Sequence, residues 1–424
     1  MSMLFKQLEW ANNANIYEVN TRQYTPEGTF AAFSKHLLRL KDMGVEILWF
    51  MPVTPISFEG RQGSLGSYYA VADYTAINPE FGTLDDFKNL VQQAHQLNMK
   101  VIVDWVANHT GLDNVWAKEH PDWYKRDMQG NFTEANGWVD VIDLNYDNKD
   151  MRTAMIAAMK YWITETGIDG FRCDMAHLVP LQFWIEARTE CDKVRPMYWL
   201  AETDAEEYLQ VFDASYAWEW MVDSTALVKQ KMTTEKMMSV LMKYATQCGD
   251  HSQKLMFTAN HDENSWNGTE YEKYGDAAKA FAVFTNTWRG VPLIYSGQEL
   301  PNYKRLQFFD KDQIDWTSET PTLHNFYKSL FMLRKRCHVF HCAADLLLLD
   351  TGHNDKIVAY VSKFNNQKAL LLFNFSDADR VAFSISHTEL QDRFQNTFSG
   401  MTFDFGNNLS FEMQPWQYIV YEKI

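Results

Sequence analysis

The chain has 424 residues, enough for a large hydrophobic core and two or three domains. Its 39 basic and 55 acidic side chains give a formal net charge of −16, and no basic run interrupts that balance. Nucleic acid and anionic membranes are therefore not expected as partners. No stretch approaches the roughly 18 apolar residues of a transmembrane helix, so no membrane association is expected.

The five cysteines are widely spaced and form no CxxC pair, which predicts neither a disulfide framework nor a zinc knuckle. Residues 1–7 lack the apolar core of a signal peptide. We therefore expect a cytoplasmic enzyme, or a periplasmic or secreted one if a signal peptide has been removed. A monomer or a weak oligomer is expected. The 15 Trp and 20 Tyr residues indicate either flat apolar faces for a ligand such as a sugar ring, or a Trp-rich core.

Apolar runs alternate with helical patterns over the first 343 residues. The first part predicts strands at 15–20, 45–52 and 101–104, a helical face of Phe30, Phe33, Leu37 and Leu40 ending at Gly44, and a helix opened by a capping box of Thr83 and Asp86. Further strands are predicted at 168–174, 198–202, 214–218, 255–260 and 291–296. This rhythm predicts an α/β fold, a (β/α)8 TIM barrel. A doubly wound sheet is the alternative, because periodicity alone does not show closure.

Two segments depart from this rhythm. Residues 107–146 follow the third strand without clear periodicity and are predicted to be a short inserted subdomain beside the mouth of the barrel. Residues 344–424 contain a predicted hairpin, 357–364 with 368–375, and later alternating strands, which indicate a C-terminal antiparallel β-sandwich domain. The catalytic barrel is then predicted to comprise residues 1–106 and 147–343.

Polar clusters follow four of the predicted strands. Arg172 and Asp174 are two residues apart at a strand end, so their side chains face one side, either as a structural ion pair or as part of a site. A guanidinium beside a carboxylate favours its ionised form, so Arg172 is expected to keep Asp174 ionised. The other clusters are Asp104 to His109, Glu202, and Asn260 to Asp262. In a barrel, all four would share one mouth, which favours a catalytic site over unrelated surface acids.

These clusters resemble the four regions of the alpha-amylase family of glycoside hydrolases (family 13), in the family's order and over nearly the whole chain. The resemblance implies that Asp174 is the nucleophile and Glu202 the general acid/base. Asp262 is implied to grip sugar hydroxyls and stabilise the transition state. Retaining glycosidases require such a pair of carboxyls. Glu202 has no cation near it in the sequence, which favours its protonated form.

The same resemblance implies further substrate-binding residues. Tyr69 would stack under the reacting sugar, with ordinary packing as the alternative. His109 and His261 would contact its hydroxyls, and Arg172 would complete the set. The chain departs from many members of the family at Ser67, where they have a histidine.

Calcium is the cofactor that the resemblance implies, with no organic cofactor. In members that hold the ion, the residues at the places of Asn108 and Asp143 are ligands, and the backbone carbonyl at the place of His177 often contributes. Oxygen ligands suit Ca²⁺. Several branches of the family lack the ion, so its absence is the alternative.

The sequence thus predicts a retaining hydrolase of α-1,4-linked maltooligosaccharides or starch-type α-glucans, with an α-glucan oligosaccharide as its partner. Two alternatives remain. One is a transglycosylase or a trehalose-forming isomerase that uses the same carboxylates. The other is a non-catalytic relative that binds carbohydrate, which is disfavoured because Asp174, Glu202 and Asp262 are all present.

Overall fold

A computed structural model describes residues 3–316 and 320–424. Eight parallel strands close into a barrel in the order β1-β8-β7-β6-β5-β4-β3-β2. The barrel strands β1 to β8 are Ile16–Val19, Ile47–Phe50, Lys100–Trp105, Gly170–Cys173, Tyr198–Ala201, Ala214–Tyr216, Gln253–Met256 and Val291–Tyr295. The predicted TIM barrel is confirmed, and the doubly wound alternative is wrong. Within the described ranges, no helix combines the length and apolarity needed to cross a membrane.

Helices surround the barrel and alternate with its strands. The main ones are Phe30–Ser34, Leu37–Met43, Leu84–Gln96, Lys149–Thr166, Leu181–Asp192, Trp218–Val228, Thr234–Cys248, Ala278–Thr287 and His324–Arg336, with the shorter Thr21–Tyr24, Val115–Glu119 and Glu270–Tyr274. The capping box of Thr83 and Asp86 is present, and Gly44 ends its helix with φ +97°, as predicted. The helical face predicted from Phe30 onward is divided between two short helices.

Gly170 allows β4 and β5 to lie side by side at the start of β4. A Cβ atom at this position would be 2.2 Å from the backbone oxygen of Tyr198, closer than real contacts permit. Only glycine fits there, because the backbone of β5 at Tyr198 occupies the space that a Cβ atom would take. This contact matters for the site because β4 carries Arg172 and precedes Asp174, while β5 precedes Glu202.

The segment between β3 and β4 contains a short antiparallel hairpin of strands His109–Gly111 and Val141–Asp143. After the last barrel helix, six strands form an antiparallel sheet and two strands, Val381–Ser386 and Asn408–Met413, form a second sheet. Side chains of both sheets share one apolar core, so this part is a β-sandwich, as predicted. The domain boundaries given above stay predictions. All five cysteines are free thiols.

The sandwich packs tightly on the barrel through aromatic residues. The ring centroids of Phe281 and Phe375 are 4.7 Å apart, and those of Phe284 and Phe373 are 5.2 Å apart. The hydroxyl of Tyr360 donates a hydrogen bond to a helix carbonyl at a distance of 3.0 Å. These contacts lie away from the carboxyl ends of the strands, so the barrel mouth stays free for a site.

Candidate active site

Arg172 is the centre of the polar cluster at the carboxyl ends of the barrel strands. Its guanidinium is fully buried, with Nη1 2.9 Å from Oδ1 of Asp104 and 3.0 Å from Oδ1 of Asp174. The second nitrogen, Nη2, lies 2.8 Å from Oε2 of Glu202. Its Nε donates to the hydroxyl of Tyr216 at 3.1 Å. One cation therefore joins groups from β3, β4, β5 and β6.

Glu202 has two close partners that its sequence neighbourhood did not reveal. The expectation that no cation lies near it holds along the sequence but not in space, because Arg172 reaches it. The backbone N–H of Met175 also donates to Oε2 of Glu202 at 2.8 Å. Met175 has φ +40°, a left-handed conformation that is uncommon for a residue other than glycine. The backbone after Asp174 is thus turned towards the carboxyl group on the neighbouring strand.

Asp174 does not titrate as its arginine neighbour alone would predict. Burial and the charge of Glu202 raise the pKa of Asp174 well above its ordinary value, and Arg172 only partly opposes them. The expectation that Arg172 keeps Asp174 ionised is therefore wrong, because burial and the charge of Glu202 outweigh the guanidinium. Asp174 and Glu202 face the same guanidinium from neighbouring strands.

His261 links two acidic side chains at the opposite side of the cluster. Its Nδ1 is 2.5 Å from Oε1 of the buried Glu18, and its Nε2 is 3.2 Å from Oδ2 of Asp262. Burial alone lowers the pKa of His261, but Asp262 and Glu18 together raise it well above its ordinary value. For Asp262, burial raises the pKa, but the charge of His261 and its hydrogen bond lower it. The net result is a lowered pKa of Asp262. The imidazole thus lies between two acidic side chains, and their charges favour its protonated form.

Tyr69 connects the two halves of the site. Its hydroxyl donates to Oδ2 of Asp104 at 3.0 Å and lies 2.7 Å from Nε2 of His261. The rings of Tyr69 and His261 are nearly parallel, with centroids 5.4 Å apart. The tyrosine ring is thus held in one orientation at the bottom of the mouth.

The mouth of the barrel contains a cavity of about 250 Å³. Its lining includes five of the residues predicted from the sequence, namely Tyr69, His109, Asp174, Glu202 and Asp262. The others in the lining are Gln62, Ser67, Trp138, Asp140, Val141, Met175, Trp266, Phe308 and Phe309. A pocket of polar and aromatic groups around several carboxyls is the arrangement expected of an active site.

That Arg172 and His261 contact substrate stays a prediction. Both side chains are almost fully buried, and neither belongs to the cavity lining among the described residues. They lie behind Asp174, Glu202 and Asp262 and act on these carboxyls. His109 does reach the cavity, next to the indole of Trp138 at 5.1 Å between ring centroids. Burial lowers the pKa of His109 to about 4, so this imidazole is neutral at neutral pH.

The predicted calcium ligands are only partly brought together. Asp143 pairs with His109 in the hairpin, and the N–H of Leu144 donates to the carbonyl of Asn108 at 3.1 Å. Oδ1 of Asp143 is buried without a hydrogen-bond partner in the described structure, as expected of a cation ligand. His177 is exposed, and its carbonyl accepts a hydrogen bond from a tyrosine hydroxyl. Nowhere in residues 3–316 and 320–424 do three or more His, Cys, Asp or Glu side chains form a possible metal site.

The side chain of Lys125 places a positive charge beside Asp143. Its Nζ lies 4.0 Å from Oδ2 of Asp143. Burial raises the pKa of Asp143, and the ammonium group of Lys125 opposes that effect. Asn108 and Asp143 thus fit a cation through their oxygen atoms, with Lys125 as a neighbour that a metal ion would have to tolerate.

Several residues of the site were not predicted from the sequence. Glu18 lies in a predicted strand. Its acidic side chain between Tyr17 and Val19 is the feature of the sequence that could have indicated a role in the site. Phe308 and Phe309 lie in a segment after β8 that has no periodicity, so nothing marked them.

Comparison with known proteins agrees with this geometry. The model of the alpha-amylase catalytic domain matches residues 9–141 and 121–323. Alpha-amylase MalA of Haloarcula japonica is 28% identical over 388 residues, which are 86% of this chain and 56% of that protein. The chain therefore spans little more than half of that relative.

Two further proteins illustrate the range of similarity. The crystal structure of the noncanonic maltogenic alpha-amylase AmyB from Thermotoga neapolitana superposes with a TM-score of 0.90 at 29% identity, covering 98% of this chain and 99% of that one. The alpha-1,4-glucan:maltose-1-phosphate maltosyltransferase of Rhodospirillum rubrum is 33% identical over 199 residues, 41% of this chain and 29% of that protein. Because the family model matches most of the chain and the barrel has the same fold, the chain belongs to the alpha-amylase family of glycoside hydrolases.

Proposed function

We propose that the chain is a retaining hydrolase that cleaves α-1,4-glucosidic bonds in maltooligosaccharides and starch-type α-glucans. The observation that carries the proposal is the fork of Arg172, which holds Asp174 by one nitrogen and Glu202 by the other. Both carboxyls line the same cavity. Retention requires two such groups on either side of one glycosidic bond.

In the first step, a carboxylate oxygen of Asp174 attacks the anomeric carbon. The bond from that carbon to the leaving oxygen breaks, and Glu202 gives its proton to this oxygen. In the second step, Glu202 takes a proton from water, whose oxygen attacks the same carbon and releases Asp174. Each step inverts the anomeric centre, so the product keeps the α configuration.

Glu202 is the proton donor in this proposal, and one of its two carboxyl oxygens is left for the proton. Among the described residues, its two contacts, from Arg172 and from the N–H of Met175, are both to Oε2. Oε1 is therefore the atom left to carry the proton. The raised pKa of Asp174 shows that the site disfavours two negative carboxylates at once. Attack requires the charge on Asp174 and the proton on Glu202, so the raised pKa of Asp174 limits the reaction to molecules in which Asp174 is ionised.

The remaining residues position the sugar. Asp262, kept ionised by His261, offers an oxygen that accepts hydrogen bonds from sugar hydroxyls. The fixed ring of Tyr69 provides a flat face for the reacting ring. His109, which is neutral, exchanges hydrogen bonds with hydroxyls at the rim.

Calcium binding is a second, separate proposal. Asn108 and Asp143 would hold it, with the carbonyl of His177 as the expected third ligand, because Oδ1 of Asp143 is buried and without a partner among the described residues. Bound there, the ion would fasten the segment after β3 to the barrel and would take no part in bond cleavage.

A transferase is the second candidate, favoured by the similarity to the maltosyltransferase named above. The first step is the same, and a sugar hydroxyl replaces water in the second step. Chromatography of the products from pure maltotriose separates the two. A hydrolase gives only shorter sugars, whereas a transferase also gives longer ones.

Two isosteric variants test the proposed catalytic pair. Asp174→Asn and Glu202→Gln should each lower kcat on maltoheptaose by at least about a thousandfold. Circular dichroism should show an unchanged fold. Glu206→Gln, an exposed acid on the same side of β5, is the matched control and should retain wild-type activity. Wild-type activity of either catalytic variant would overturn the proposal.

A further inference from the structure

The loops that follow β2 and β8 are joined directly above β1. The N–H of Leu65 donates to the carbonyl of Phe309 at 3.0 Å, and the N–H of Ser64 donates to Oδ1 of Asp310 at 2.7 Å. A Cβ atom at Gly63 would be 2.6 Å from Cβ of Phe309, so the two loops are in tight contact. We call residues 63–66 together with 307–312 the loop bridge.

Buried side chains from the helix after β1 fix the loop bridge from below. Nη1 of Arg22 donates to the carbonyls of Gly66 at 3.1 Å and Phe308 at 3.3 Å, one on each loop. The same guanidinium is paired with Glu80 at 2.7 Å. Nε2 of Gln23 donates to the carbonyl of Asp310 at 2.7 Å. With both loops tied to one buried cation, the bridge is a fixed wall of the mouth.

The loop bridge lines one side of the active-site cavity. Gln62, next to it in sequence, and Phe308 and Phe309 within it belong to the lining. The ring of Phe308 is nearly parallel to that of Tyr69, with centroids 6.3 Å apart, and it also contacts Trp266 at 5.4 Å. The aromatic floor under the reacting sugar therefore runs towards the bridge and ends there.

The strand order shows which part of the substrate meets this wall. Counting in either direction around the barrel, β5 is four strands from β1, so it lies opposite β1. Glu202 stands at the end of β5, and the loop bridge lies above β1. The general acid must stand beside the leaving oxygen. The leaving chain therefore extends to the side of Glu202, and the retained sugar extends towards the bridge.

We propose that the loop bridge closes the non-reducing side of the site, so that the enzyme removes short units from the non-reducing ends of α-glucans and does not cut within chains. This proposal rests on the function proposed above. A long chain has no path across the joined loops.

The test compares two forms of maltoheptaose, one free and one carrying a 4,6-O-ethylidene cap on its non-reducing glucose. Both contain the same α-1,4 bonds, and only the capped form lacks a chain end that fits the closed site. Liquid chromatography of early products should show cleavage of the free form, with the capped form slower by at least about tenfold. A smaller difference would overturn the closed-end proposal.

A variant that weakens the loop bridge provides the second part of the test. Asp310→Ala removes the acceptor of the Ser64 N–H and should raise the rate on the capped form relative to the free form by about threefold or more. Asp379→Ala, at an exposed loop of the C-terminal domain, is the matched control and should leave this ratio unchanged. An unchanged ratio in Asp310→Ala would overturn the role of the bridge.

The closed-end proposal and the proposed hydrolysis fail in different ways. If hydrolysis by Asp174 is wrong, the free form is not cleaved, or it is cleaved equally by Asp174→Asn. If only the closed end is wrong, the free form is cleaved in an Asp174-dependent way and the capped form is cleaved equally well.

Discussion

Glu18 at β1 and His261 after β7 are 243 residues apart in sequence, yet Oε1 of one lies 2.5 Å from Nδ1 of the other. Both side chains are buried, and His261 in turn contacts Asp262. Glu18 does not line the cavity among the described residues, so it acts on the substrate only through the histidine. After Asp262, Glu18 is the second acidic partner that raises the pKa of His261, and the charge of His261 in turn lowers the pKa of Asp262.

Glu18→Gln tests this positioning role. Loss of the Glu18 charge lowers the pKa of His261, so the imidazole loses its proton at a lower pH. We expect kcat/KM to fall by about tenfold at neutral pH, which is about 1.4 kcal/mol. The alkaline limb of the pH profile of kcat/KM should move to lower pH. Glu46→Gln, at the amino-terminal end of the barrel, is the matched control. An unchanged pH profile in Glu18→Gln would reduce Glu18 to a packing role.

The sequence predicted the barrel because its strands are short apolar runs whose pattern depends on local residues. It also predicted the residues that follow the strands, because the clusters around Asp104, Asp174, Glu202 and Asp262 resemble a known family. Glu18 escaped because a single acid within an apolar strand has no partner nearby in sequence. The loop bridge escaped for the same reason, since its contact between Ser64 and Asp310 joins residues 246 positions apart.

The ionisation of Asp174 was predicted incorrectly for a different reason. The sequence shows Arg172 beside Asp174, but it shows neither the burial of both groups nor the approach of Glu202. Burial is the largest influence on the pKa of Asp174, and it acts against the arginine. The spacing of Arg172 and Asp174 along one strand was therefore sufficient to locate the site. It was not sufficient to predict whether Asp174 is ionised.

Asp174→Asn should make the folded protein more stable at neutral pH. A carboxyl whose pKa is raised by folding adds stability below its unfolded pKa and loses that contribution as the pH rises through its folded pKa. At neutral pH a buried negative charge on Asp174 destabilises the folded protein, and asparagine carries no charge. We expect a gain in unfolding free energy on the order of 1 kcal/mol at pH 7, shrinking as the pH is lowered towards 4.

Urea denaturation of wild type and Asp174→Asn between pH 4 and pH 8 measures this gain. Asp379→Asn, an exposed carboxyl in the C-terminal domain, serves as the control and should show no such pH-dependent difference. A variant that is less stable than wild type at pH 7 would contradict a raised pKa of Asp174.

Removal of calcium tests the proposed ion at Asn108 and Asp143. If the ion binds, a chelator should lower the melting temperature, and added Ca²⁺ should restore it, because a ligand of the folded state stabilises that state. Asp143→Asn should abolish the response. No bound metal by elemental analysis and no shift in melting temperature would leave Lys125 as the charge that accompanies Asp143.

The stereochemistry of the first product tests the central claim most directly. Proton NMR should follow the anomeric signals during the first minutes of hydrolysis of a reduced maltooligosaccharide, before mutarotation mixes the forms. The double displacement by Asp174 and Glu202 predicts that the α-anomer appears first and the β-anomer only later. Initial appearance of the β-anomer would contradict retention, and with it the assignment of Asp174 as the nucleophile.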